Sequence, residues 1–195
     1  MLFSSITFLF IFLPLTLLLY YLVPFRMKNY VMLAASLIFY AWGEPVYIIL
    51  MILSIILNYF CGQDIYEKRD NARAMKMSLM FGVVMNLLIL GFFKYYGLLM
   101  DTINAILPID IPYRVLALPI GISFYTFQAM SYLIDVYRKE VKPQENVLYF
   151  ALYISMFPQL IAGPIVRYID IEEQLKERSI NSTKFGEGAM YFIRG

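Results

Sequence analysis

Leu118-Pro119-Ile120-Gly121-Ile122-Ser123-Phe124-Tyr125-Thr126-Phe127-Gln128-Ala129-Met130-Ser131-Tyr132-Leu133-Ile134-Asp135-Val136-Tyr137-Arg138 decides how this chain is read. Taken from residue 115 to residue 137, the stretch is apolar and meets the ~20 residues a bilayer-spanning helix needs. Yet Gly121, Tyr125, Gln128, Tyr132 and Asp135 succeed one another at steps of four, three, four and three. A helix places them on one face, with Ser131 beside them. A carboxylate and a carboxamide turned toward lipid are expensive, so the seam must face protein or a wet cavity. The stretch predicts a membrane protein with a polar interior.

Composition agrees. The 195 residues are 61% hydrophobic, 17% aromatic and 15% charged, with a mean hydropathy of +0.67. Soluble domains lie nearer 45–50% apolar and about 25% charged. The net charge of +2 gives no argument for nucleic acid. Cys61 is the single cysteine and excludes an intrachain disulfide; at the end of an apolar run it reads as a small buried hydrophobe. There is no histidine. With one cysteine and scattered carboxylates, no metal site is expected. Neither is a Ser-His or Cys-His pair, nor a phosphate-cradling glycine loop.

Outward from the seam, hydropathy divides the chain into an all-α, polytopic array. Spans are expected at about 2–23, 30–42, 46–61, 77–97 and 115–137. Gly43 and Pro45 break the second from the third as a tight hairpin, and Tyr40 and Trp42 fall where an interfacial aromatic belt would be. Hydrophilic loops are expected at 62–76 and 97–115. Asn58 and Asn86 read as helix–helix hydrogen bonders, and Lys94 as snorkelling beside Tyr95. Pro119 and Gly121 mark the start of the seam helix.

The segment after Tyr137 sets the expected topology. Val147 to Phe157 makes a helix of about 11 residues, roughly half a membrane. Pro158, Gly163 and Pro164 punctuate it. If it turned back within the bilayer, Arg167, Lys176, Arg178 and Lys184 would join Arg26, Lys28, Lys68, Arg69, Arg73, Lys76, Arg138, Lys139 and Lys142 on the inner side. Only Arg114 would then lie outside. A re-entrant element at 147–164 is therefore expected, with the N-terminus outside. Such backbone is tolerated only where protein or water covers it. A surface helix is expected at 165–179 and the start of another helix at 185–195. Asp135 reads as a structural carboxylate paired with Arg138 or Arg167 rather than a base. Gln128 and Tyr132 suit a bound carbonyl or sugar and suit bridging between helices equally.

Several blocks resemble one family. These are Phe39-Tyr40-Ala41-Trp42-Gly43-Glu44-Pro45, Gly91-Phe92-Phe93-Lys94-Tyr95-Tyr96, Leu118 to Gln128 with Ser131 to Arg138, and Phe157-Pro158-Gln159-Leu160-Ile161-Ala162-Gly163-Pro164-Ile165-Val166-Arg167. Their order and spacing are similar to the membrane-bound O-acyltransferases (MBOAT), in the branch of the bacterial alginate O-acetylation membrane subunit. The resemblance implies an N-terminal half of such a fold, an incomplete MBOAT domain over 1–195. It implies O-acetylation of a cell-surface or exported polysaccharide such as alginate, with acetyl-CoA as donor and no bound cofactor. Its partners would be the lipid bilayer, the missing C-terminal half, an extracytoplasmic acyltransferase and a polysaccharide acceptor. The place would be the bacterial inner membrane.

The family's histidine lies in the later half, so the resemblance implies no catalytic residue here and no turnover by this chain alone. It implies a passage lined by Tyr125, Gln128, Ser131, Tyr132, Asp135, Gln159 and Arg167. Two other readings stay open: a broken-helix transporter and a non-catalytic truncated remnant.

Overall fold

The computed structural model describes residues 5–106, 111–114, 117–160, 166–176 and 182–194, and all regular structure in them is helical. A π-helical opening, Phe8–Phe12, leads into α1 (Leu13–Leu22). Then follow α2 (Lys28–Gly43), α3 (Ile48–Glu67), α4 (Ala72–Ile106), α5 (Ile122–Tyr137), α6 (Val147–Ser155), α7 (Phe157–Leu160), α8 (Tyr168–Lys176) and α9 (Ser182–Arg194). α3 and α4 are long and apolar enough to cross a bilayer, and Phe8–Leu22 forms a shorter apolar helix.

The polarity of α3 and α4 is that of a membrane protein. Ile49, Ile52, Ile56 and Phe60 of α3 are exposed, as are Phe81, Val84, Leu88 and Phe92 of α4. Small and polar residues face inward: Ser54, Asn58 and Gly62 against Ser78, Gly82 and Asn86. Lipid tails offer no hydrophobic gain to helix association, so close approach and hydrogen bonds hold such pairs. The two asparagines supply them reciprocally. Asn58 Nδ2 donates to Asn86 Oδ1 at 3.0 Å, and Asn86 Nδ2 donates to Asn58 Oδ1 at 2.7 Å.

α5 seats on the glycines of this pair. A Cβ on Gly62 would stand 2.8 Å from the Tyr132 ring, and one on Gly82 would stand 2.6 Å from Leu133 Cδ1. Tyr132 is a fully buried ring whereas the Leu133 contact is a terminal methyl that rotation can move. Gly62→Ala is therefore expected to cost about 1–3 kcal/mol and Gly82→Ala clearly less. Thermal unfolding in detergent checks this; equal shifts would mean that α5 is not held by the Tyr132–Gly62 contact.

Several sequence expectations change. α3 runs on to Glu67, past the expected end at 61, so the loop shrinks from 62–76 to the turn at 68–71. Charged residues are good helix formers once outside lipid, and Asp64 and Lys68 pair at i,i+4. α4 continues past the expected end at 97 to Ile106, because a lone glycine such as Gly97 does not stop a helix. At about 1.5 Å per residue its 35 residues outreach the ~30 Å hydrocarbon layer. α5 has only 16 residues, about 24 Å, not a full span over 115–137. Pro119 and the left-handed Gly121 (φ 76°) start it late. The 147–164 element is two helices, α6 and α7, with the break at extended Met156 (ψ 110°) rather than at Pro158. Pro158 lies inside the first turn of α7, where a missing N–H costs nothing. Gly163 and Pro164 lie outside the described residues. α8 occupies Tyr168–Lys176 of the expected 165–179, and α9 starts at Ser182.

Candidate functional site

α5 enters the core as a short helix with a defined stop at its start. The Pro119 carbonyl accepts from Ile122 N (3.2 Å), and the Gly121 carbonyl from Tyr125 N (3.0 Å). A Cβ on Gly121 would meet the Leu160 carbonyl oxygen at 2.9 Å. The beginning of α5 thus presses directly on the last residue of α7.

The seam divides into two parts. In the lower part Gln128, Tyr132 and Asp135 are each tied to protein. Gln128 Nε2 donates to the Tyr153 carbonyl of α6 at 3.0 Å, and Tyr153 OH donates to the Val166 carbonyl at 3.1 Å. Tyr132 OH accepts from Gln144 N (3.1 Å), while Gln144 Nε2 donates to Tyr168 OH (2.8 Å). The rings of Tyr132 and Tyr153 both pack edge-on against Tyr168, at 5.2 and 5.3 Å. Arg167 Nη2 donates to Asp135 Oδ1 at 2.5 Å and to Glu140 Oε2 at 2.6 Å. Asp135 first, then Glu140, raise the guanidinium pKa above its ordinary value, so Arg167 remains a cation. Of the two arginines open to Asp135 in the sequence, Arg167 is the partner, and Arg138 reaches Glu140 at 3.7 Å. Ser131 is half-buried beside this network.

The upper part differs. Tyr125 OH, Tyr40 OH and Gln159 Oε1 are buried and find no hydrogen-bond partner among the described residues. Tyr40 lies within electrostatic reach of Tyr125. Phe157 N donates to Ser36 Oγ, one turn before Tyr40, so α7 is pinned to α2 at this level. Gln159 immediately precedes the Leu160 that touches Gly121. The orphaned atoms therefore stand on α2, α5 and α7, three helices that meet around the start of α5. A buried polar group left unpaired costs ~1–3 kcal/mol, and native proteins keep such groups where something polar is to be held. Asp135 Oδ2 and Asn29 Oδ1 are orphaned as well.

The sequence placed Tyr40 in an interfacial belt, and the structure overturns this: Tyr40 is 3% exposed, against 67% for Trp42. Its signal was available, because Ser36 and Tyr40 are one turn apart on a polar stripe. Gln144, Tyr153 and Tyr168 carried no motif that singled them out. The expected lining residues belong to neither of two described cavities, one beside Leu53, Phe60 and Asp64 and the other beside Tyr66, Arg69 and Lys139.

The chain is 41% identical over its whole length to a probable alginate O-acetylase AlgI of Azotobacter vinelandii, covering 40% of that protein. It is equally similar to the probable alginate O-acetylase AlgI of Pseudomonas aeruginosa, covering 38%. It is 33% identical over 92% of its length to the peptidoglycan O-acetyltransferase of Helicobacter pylori, covering 39%. The chain thus spans about two fifths of the length of the curated relatives it matches. No family model and no solved structure matches it.

Proposed function

We propose that this chain, placed in the membrane-bound O-acyltransferase family by its full-length likeness to the alginate O-acetylases, is part of a membrane enzyme that O-acetylates a cell-surface or exported polysaccharide such as alginate. The observation that carries the reading is 41% identity extending over every part of the chain, the broken α6–α7 element included. Acetyl-CoA is the donor, on the cytoplasmic side. The protein is a multi-pass protein of the bacterial inner membrane with its N-terminus outside, as the distribution of basic residues supports. The polysaccharide, with an extracytoplasmic acyltransferase beside it, receives the acetyl group.

Within this chain the work is to hold the acyl group. Tyr40 and Tyr125 offer two hydroxyl donors that no other described residue engages, and Gln159 Oε1 offers an acceptor. Donors aimed at a carbonyl oxygen in a dry site stabilise charge developing there. The lower seam fixes these groups by locking α5 to α6 and α8. General base chemistry near neutral pH is the usual task of histidine. None occurs in these 195 residues.

Tyr125→Phe in the full-length protein tests this. It deletes one orphaned hydroxyl and leaves the ring. Stability is expected to hold or rise by about 1 kcal/mol, while acetyl transfer to the polysaccharide falls by roughly tenfold or more. Unchanged transfer with raised stability would show that the hydroxyl touches no substrate. Substrate flux without acetylation would favour a transporter.

A further inference from the structure

At the end of the bundle where α3 passes to α4 and α5 passes to α6, a cavity of about 370 Å³ lies between Ile65, Tyr66, Arg69, Met75, Val136 and the segment 139–142. Its lining joins the apolar Ile65, Met75, Val136 and Val141 to three solvent-exposed cations, Arg69, Lys139 and Lys142. The Arg69 guanidinium lies over the Tyr66 ring at 4.5 Å. Among the described residues none of these three cations has a carboxylate partner. Glu140 also lines the cavity, but Arg167 (2.6 Å) and Arg138 (3.7 Å) hold its carboxylate. A preference for positive charge on one membrane face accounts for basic loops, but not for the convergence of three cations from two separate loops on one cavity.

Lys139 sharpens the point. Among the described residues it is the one non-glycine residue with positive φ (63°), at the position where Lys139 N bonds the Val136 carbonyl and Glu140 N bonds the Asp135 carbonyl. Helices that end in this way usually place glycine there. Here a lysine occupies it, and that lysine lines the cavity.

We propose that this cavity is a phosphate-recognition site, juxtaposing Arg69, Lys139 and Lys142 around a phosphate or diphosphate group beside the apolar residues of its lining. Arginine supplies a planar fork and lysine a point charge, the two means by which proteins hold phosphate. Such a group is carried by the coenzyme A portion of a thioester donor or by the headgroup of an anionic phospholipid. The first source rests on the donor and orientation proposed above, and the second does not.

The test is an equilibrium measurement without turnover, on full-length protein. Coenzyme A with a free thiol is titrated into protein in neutral detergent. Phosphatidylglycerol retention is compared with phosphatidylcholine in nanodiscs. Lys139→Gly removes one cation while suiting the left-handed backbone, so folding is preserved. Arg69→Gln with Lys142→Gln removes the others, and Lys94→Gln, outside the cavity, is the control. Each cavity variant is expected to weaken binding of one probe by roughly tenfold, with the control unchanged. A loss for coenzyme A identifies the donor as the phosphate source, and a loss for phosphatidylglycerol identifies the lipid. Neither probe binding, or binding that the cavity variants leave within about twofold, overturns the proposal. Because no acetyl group is present, failed transfer with intact phosphate binding would remove only the proposed function.

Discussion

Gly121→Ala is expected to lower stability by about 2–4 kcal/mol, the sum of two effects. A Cβ at φ 76° is strained in itself, and this one would point at the Leu160 carbonyl oxygen 2.9 Å away. Leu160 cannot yield easily, since a backbone oxygen moves only with its helix. The displacement is therefore expected to pass to α7, shifting Gln159 on that helix and lowering acetyl transfer more than the stability loss alone explains. Gly91→Ala is the comparison, because a Cβ there meets nothing within 4 Å. In a helix interior it should be neutral or stabilise by about 0.5–1 kcal/mol. Thermal unfolding in detergent followed by the fluorescence of Trp42, the single tryptophan, reads both. Similar melting temperatures for the two variants would mean that α5 and α7 do not abut at this point.

Arg167→Met is expected to have the second large effect, through the residue it abandons. The Asp135 side chain is 3% exposed and that of Arg167 is 45% exposed. Removing the arginine strands a buried carboxylate, whereas removing both charges does not. Arg167 sits partly in solvent and shares its charge with Glu140, so the effect is discounted from that of a fully buried pair. The single variant should lose roughly tenfold in folded-to-unfolded ratio, and Asp135→Asn combined with Arg167→Met should recover most of it. The yield of monodisperse protein after detergent extraction, with denaturant titration of the survivors, measures both. A double variant no better than the single would show that the arginine matters for its contacts with Glu140 and α8 instead.

The candidate site was legible in unequal parts. Tyr125, Gln128, Tyr132 and Asp135 could be picked from a three-and-four spacing because a helix enforces that period locally, whatever surrounds it. All four are buried on α5. Their tasks were not legible. Gln128 and Tyr132 were equally suited to substrate or to a neighbouring helix, and the structure commits them to Tyr153 and Gln144. Tyr40 was misjudged because an aromatic near a hairpin tip fits an interfacial belt as well as it fits a core. Only tertiary packing, with α6 and α7 both against α2, turned it inward. Element ends moved for a related reason. Hydropathy reports where lipid begins, whereas helices such as α3 and α4 stop where backbone hydrogen bonding is interrupted.

By itself the sequence determined the class of molecule and its ingredients: a helical membrane protein with a polar seam, breaks at Gly43-Glu44-Pro45 and Pro119–Gly121, and no histidine. Those follow from composition and from periods of a few residues, which are properties of neighbouring positions. Tertiary structure alone decided which polar atoms are satisfied, which arginine answers Asp135, and that Tyr40, Tyr125 and Gln159 keep unspent hydrogen-bonding capacity among the described residues. Hydrogen bonding and ion pairing act over about 3 Å. Partners 32 residues apart, as Asp135 and Arg167 are, come within that range only when the helices between them have packed.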